Sequence, residues 1–171
     1  FASKEGSVFH REARDIVQNV RKVVERARSN GIPVLWTIDF HRKGKPDWEL
    51  KWVRRHGIEG TTDVEFRDDL KPEDNEIVLK KRRYSAFFGT DLDLILRDYG
   101  VEDLVIVGTK TNVCVRATAQ DAFARNYRVF VPRDCTSTDD ETIQKVNLDD
   151  IDNYMGEVID LEEALKSLTG E

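Results

Sequence analysis

Leu104-Val105-Ile106-Val107-Gly108-Thr109-Lys110-Thr111-Asn112-Val113-Cys114-Val115-Arg116-Ala117-Thr118-Ala119 is the stretch whose reading decides the fold. A short apolar, β-branched run without polar alternation has the pattern of a strand covered on both faces of a parallel sheet. Gly108 ends it sharply. Thr111 and Asn112 are helix-capping types, and small and apolar residues over 115–124 recur at helical spacing, which predicts Cys114 in the first helical turn. Unpaired N–H groups and the partial positive charge there favour thiolate, and can bring a cysteine pKa from about 8.5 towards neutrality. The same N–H groups can hold an oxyanion. Position alone equally allows a small buried cysteine that packs the helix on the sheet.

Outward from this stretch, Ala13, Ile16, Val17, Val20, Val23, Val24 and Ala27 fall on one helical face. Asn30-Gly31 closes that helix, Pro33 bars its continuation, and 34–38 reads as a buried strand. Residues 77–79 form the next strand, and 92–99 a helix closed by Gly100. After the central strand at 104–107 come a helix over 113–126, a strand over 127–131, a loop over 132–139, a helix over 141–155, a strand at 158–159 and a helix over 161–168. Residues 1–9 read as a polar loop. Strands alternating with helices at this spacing predict an α/β fold: a three-layer, doubly wound, mostly parallel sheet with helices on both faces. In such sheets ligands bind beyond the carboxyl ends of the strands. Asp39, Lys81 and the 108–114 loop all follow strand ends, and the long polar loop 39–63 is of a length usually tied to function.

The chain of 171 residues is expected to be a single domain over 1–171. It carries 27 Lys and Arg against 33 Asp and Glu, an acidic balance that argues against a nucleic-acid surface. Cys114 and Cys135 are too few for a disulfide framework, and no apolar run approaches a membrane span, so a cytoplasmic protein without membrane partners is expected.

Gly108 through Ala119, with Asp121-Ala122 and the earlier Lys81-Arg82-Arg83-Tyr84-Ser85-Ala86-Phe87, resemble the isochorismatase-like family of cysteine hydrolases, which includes nicotinamidases, N-carbamoylsarcosine amidase and isochorismatase. Amide hydrolysis by a thiol needs a nucleophile, a proton carrier and oxyanion donors. The resemblance implies Cys114 as nucleophile and Lys81, three positions before Tyr84, as the cation that stabilises the thiolate. It implies an oxyanion loop of Thr109, Lys110 and Cys114, with donors on Lys110 and Cys114 and a cis Thr109–Lys110 peptide. It also implies a general-base aspartate, on a first strand, upstream of Phe1; without that strand a hole is expected in the centre of the sheet. A homo-oligomer is the further implication.

Asp39-Phe40-His41 and His56 offer carboxylate and imidazole, good ligands for Zn2+ or another divalent metal, although an isolated Asp-x-His is usually polar loop. The resemblance favours the metal, because nicotinamidase-like members carry this pattern as ligands that position a pyridine nitrogen. Where those members often have another histidine, this chain has Lys45-Pro46-Asp47. Phe40 and Tyr84 are candidates for an aromatic substrate pocket. Thr138, Asp139 and Asp140 stand where relatives acting on N-carbamoylsarcosine have an arginine, and an acidic loop there repels a substrate carboxylate. The expected activity is nicotinamidase-like cleavage of a small carboxamide through a thioester, releasing ammonia, with no organic cofactor. Vinyl-ether hydrolysis, N-carbamoyl-amide hydrolysis and a catalytically impaired binding or scaffold role are the alternatives.

Overall fold

The computed structural model describes residues 6–169. The expectations for Phe1, for residues 2–5 and for anything upstream lie outside the described residues.

Strand β1 (Leu35–Asp39) runs parallel to β2 (Ile77–Lys81), with Leu35 opposite Ile77 and Asp39 opposite Lys81. Strands β3 (Asp103–Val105) and β7 (Glu157–Ile159) flank β5 (Arg128–Pro132), and the short β4 (Gly108–Thr109) pairs with β6 (Thr136–Ser137), all in parallel. The helices are α1 (Glu12–Asp15), α2 (Val17–Ser29), α3 (Leu92–Asp98), α4 (Arg116–Phe123), α5 (Glu141–Tyr154) and α6 (Leu161–Ser167).

Two apolar clusters cover opposite faces of the sheet system. Leu92 and Leu96 of α3, Ala119 and Ala122 of α4 and Ile151 of α5 pack on Val129 and Val131. Val20, Val23, Val24 and Ala27 of α2 pack with Cys135 and Leu168 on the other side. Apolar spacing along α2 places that stripe inward, and burial of each such side chain contributes about 1.5–3 kcal/mol before chain entropy is subtracted. The fold is therefore α/β and doubly wound.

The expected strand at 104–107 is divided. Pairing with β5 ends near Ile106, whose N–H donates to Phe130 O at 2.9 Å, and Gly108, at φ +114°, turns the chain towards β6. Residues 104–107 are half-buried instead of covered on both faces. The reason lies beside them: β1 and β3 are not hydrogen-bonded to each other, and an apolar cavity of 410 Å³ lies between them, lined by Leu35, Thr37, Leu104, Val105, Val24 and Leu96 among others. No helix of the described residues is long and apolar enough to cross a membrane.

Candidate active site

The register of β1 on β2 sets the first contact. Asp39 and Lys81 are direct partners across the pair, each the last residue of its strand, and the Lys81 ammonium donates to the Asp39 carboxylate. Lys81 is buried, 4% exposed, so its charge needs such partners. It also donates to Arg83 O at 3.1 Å and to Cys114 Sγ at 3.4 Å. Two residues 33 positions apart in sequence are thus joined in one polar group.

Cys114 lies within a π-helical turn, Thr111–Val115, not in the first turn of α4. The Val115 N–H reaches back to Lys110 O at 3.1 Å, the five-residue span of that turn. Neither Thr111 nor Asn112 caps it: Asn112 accepts from Thr138 Oγ1 at 2.8 Å, and Thr111 Oγ1 is buried without a hydrogen bond. The thiol is also not lowered in pKa as its expected address implied. Burial pushes it up to about 11, the Asp39 charge adds to the rise, and the Lys81 ammonium opposes it. The Lys81 amine is itself raised: burial disfavours its charge, and Cys114 and Asp39 outweigh that. At neutral pH the sulfur therefore rests as thiol beside the Lys81 ammonium.

The Thr109–Lys110 peptide is cis. A cleft of 220 Å³ opens above the sulfur, lined by Thr37, Asp39, His56, Lys81, Thr109 and Cys114 together with Val8. Val8 is held there by its neighbour, since Ser7 N–H donates to Asp63 Oδ1 at 2.8 Å and Asp63 Oδ2 accepts from Gly57 N at 3.3 Å. Gly57 itself sits at φ +56°, where a Cβ would meet Asp39 O at 2.7 Å, so only glycine lets the chain pass this close to the end of β1. That crossing brings His56 to the cleft.

A second cluster lies alongside. His41, Glu49 and His56 each present one ligand atom, all within 4.8 Å of one another. His41 Nδ1 lies 2.9 Å from Asp47 Oδ2 and His56 Nδ1 lies 2.7 Å from Arg54 O. An ionised carboxylate and a carbonyl only accept, so both imidazoles carry hydrogen on Nδ1 and turn Nε2 inward. Glu49 Oε1 lies 3.4 Å from His56 Nε2 and 3.9 Å from His41 Nε2, and Glu49 Oε2 is buried without a hydrogen bond. With both histidines neutral, the two Nε2 atoms and the Glu49 carboxylate form a converging set of donors that a divalent cation can join, while Arg83 Nη1 lies 3.8 Å from Glu49 Oε2 on its far side. The donor set suits zinc or another first-row divalent ion, and the outward-bonded Nδ1 atoms are what metal-ligating histidines usually show.

The sequence proposed Asp39 with these histidines. The structure sets Asp39 on Lys81, with Oδ2 4.0 Å from His56 Nε2, and brings Glu49 into the converging group in its place. Glu49 was not singled out because it sits in a 3-10 turn (Glu49–Lys51) of a loop without periodicity; its spacing of eight from His41 is no recognisable ligand pattern. Phe40 and Tyr84 do not line the cleft above Cys114: Lys80 Nζ stacks over the Phe40 ring at 4.4 Å, and Tyr84 is 40% exposed. Asp139 is engaged by Lys110 Nζ at 2.6 Å, which holds its carboxyl down at about 2. Cys135 is fully buried and its thiol is pushed up to about 12, an unreactive setting.

Comparison with known proteins adds to this geometry. The Isochorismatase domain model matches residues 4–163. The ureidoacrylate amidohydrolase RutB of Methylobacterium radiotolerans is 35% identical over 166 residues, a match covering 85% of this chain and 64% of that protein. The N-carbamoylsarcosine amidase of Arthrobacter sp is 34% identical over 152 residues, covering 84% of this chain and 57% of its own length. The chain thus spans less than two thirds of either relative. Among solved structures, an isochorismatase-like hydrolase from Alkaliphilus metalliredigens superposes with a TM-score of 0.91 at 29% identity, over 98% of this chain and 92% of the other. The pyrazinamidase of Pyrococcus horikoshii in complex with zinc gives 0.84 at 25% identity, over 92% of each chain.

Proposed function

Since the chain belongs to the isochorismatase family, we propose that it is a cysteine-dependent amidohydrolase that cleaves a small carboxamide, nicotinamidase-like, through a thioester. The observation that carries this reading is the contact of Cys114 Sγ with the buried Lys81 ammonium at 3.4 Å, at the floor of the cleft beside the cis Thr109–Lys110 peptide.

The sulfur attacks the carbonyl carbon as its proton passes to the amide nitrogen, which makes that nitrogen the leaving group. With a thiol raised to about 11, the free thiolate is scarce, and the Lys81 charge stabilises the sulfur as it develops. The N–H groups of Lys110 and Cys114 hold the oxyanion. The C–N bond then breaks, the proton ends on the departing nitrogen as ammonia, and water opens the thioester to give the acid and restore the thiol. Asp39 keeps the lysine charged and aimed, which locks its position against the sulfur.

His41, Glu49 and His56 are the residues to hold a divalent metal, which when bound supplies a Lewis-acidic point for a ring nitrogen or another substrate donor. This cluster favours a heteroaromatic amide, and the likeness to a pyrazinamidase carrying zinc agrees with it. A ureido substrate is the second reading, because relatives named for ureidoacrylate and N-carbamoylsarcosine are 35% and 34% identical. Ammonia release from nicotinamide, pyrazinamide and ureido acids, with and without chelator, separates them. Cleavage of the ring amides, lost on chelation, supports the first reading; chelator-insensitive cleavage of ureido acids alone replaces it with the second; release from none overturns both.

A further inference from the structure

A buried carboxylate is retained only where several donors repay its lost hydration. The Asp47 side chain is 2% exposed and belongs to the 39–63 loop, yet it accepts five hydrogen bonds. Its Oδ2 takes His41 Nδ1 at 2.9 Å, Arg82 Nε at 3.0 Å and Arg82 Nη2 at 2.9 Å. Its Oδ1 takes Arg83 Nη1 and the Glu49 N–H, each at 3.1 Å. Three features of the site meet in this one group. Asp47 grips a histidine of the converging cluster, it fixes the backbone that carries Glu49, and it is held by the two arginines that directly follow Lys81 in the chain.

We propose that Asp47 is the positioning residue of the metal centre: clamped by Arg82 and Arg83, it fixes the His41 ring with Nε2 aimed at Glu49 and His56, and so sets metal affinity without being a ligand. The proposal rests on the reading that His41, Glu49 and His56 hold a divalent metal. An anionic acceptor at Nδ1 excludes the other neutral tautomer, and it makes Nε2 a stronger donor to a cation. Asp47 Oδ1 on the Glu49 N–H adds a second constraint, because the turn that presents the carboxylate begins at that amide. The paired bonds from Arg82 and the bond from Arg83 fix the Asp47 carboxyl, so that its position does not depend on the histidine it holds.

The test is Zn2+ affinity of the whole chain, measured by competition with a chromogenic chelator, for the parent and for Asp47→Asn, beside the Co2+ absorption spectrum of each and the unfolding temperature of the metal-free proteins. Outer partners of ligating histidines typically account for roughly 10–100-fold in metal affinity, so Asp47→Asn should bind Zn2+ weaker by that factor and alter the Co2+ spectrum. A folded Asp47→Asn that binds Zn2+ as tightly as the parent, with only its unfolding temperature reduced, overturns the proposal and leaves the metal centre standing. A parent protein that binds no Zn2+ or Co2+ overturns the metal centre and the proposal together. If Asp47→Asn does not fold, 15N imidazole shifts of the parent decide: hydrogen on Nδ1 of His41 supports the assignment, and hydrogen on Nε2 overturns it.

Discussion

Gly57 and Gly60 lie in one loop, both with positive φ, and differ in what surrounds them. A Cβ at Gly60 (φ +76°) meets nothing within 4 Å, whereas at Gly57 (φ +56°) it meets Asp39 O at 2.7 Å and Asp39 C at 3.0 Å. The left-handed region costs an L-residue about 1–2 kcal/mol, partly offset by about 0.4–1 kcal/mol from the stiffer unfolded chain, so Gly60→Ala should cost about 1 kcal/mol. At Gly57 the contact is with backbone, at a distance well inside the optimum of about 3.5–4.0 Å, and relieving it means shifting a packed strand end. Overpacking of that kind costs about 1–3 kcal/mol more, so Gly57→Ala should lose about 2–4 kcal/mol in total. For a chain of this size about 2–4 °C follows from each kcal/mol, which separates the two variants by several degrees in a thermal melt. Displacing Asp39 also moves the carboxylate that holds Lys81, so Gly57→Ala should lose hydrolytic activity at temperatures where it is still folded, while Gly60→Ala keeps it. Equal melting temperatures and equal activities in the two variants would refute the packing argument at this crossing.

Alkylation of Cys114 by iodoacetamide should be slow at pH 7 and still be climbing near pH 10, because burial holds the thiol up at about 11. Lys81→Met removes the opposing cation and should slow it further at every pH, checked by mass spectrometry of the modified peptide. Glu76 accepts from Arg28 and from Trp36 Nε1, and the Arg28 bond, working against burial, holds its carboxyl down at about 2. A folded-state pKa below the unfolded value stabilises the protein at neutral pH and is lost as pH falls from about 4.5 through about 2, so Glu76→Gln should flatten the acid limb of stability against pH. Asp160 caps α6 in a capping box with Glu163, and Asp160→Ala should cost about 0.5–2 kcal/mol in denaturant unfolding without changing hydrolysis.

The parts of the fold legible in the sequence are those set by local pattern. The α2 stripe, the Gly-Pro punctuation after it and the positions of β1 and β2 each carry one reading that the structure follows, although β1, read as a buried strand, is half-buried with Thr37 exposed because it borders the open apolar cavity. The division of residues 104–109 was not legible, since partner exchange from β5 to β6 is a tertiary event that Gly108 permits but does not announce. The π turn at Cys114 was hidden for a similar reason: Thr111 and Asn112 are good caps in any local reading, and only the Thr138 contact shows Asn112 otherwise engaged. At the site, Lys81 and Cys114 were legible as motif residues, whereas Glu49, which joins His41 and His56, was not. The register that sets Asp39 opposite Lys81 gives its carboxylate two neighbours, the ammonium on Oδ1 and His56 Nε2 4.0 Å from Oδ2, a pairing that no local pattern in the sequence announces. The upward pKa of the thiol was missed because the sequence shows a helix start and not how deeply it is buried.

The most direct measurement is to quench the protein in acid during turnover of a carboxamide that it cleaves and to weigh the peptide containing Cys114. The account predicts an acyl group on that peptide, lost on neutral hydroxylamine treatment as thioesters are, and no turnover by Cys114→Ala. Turnover that persists in Cys114→Ala would contradict it.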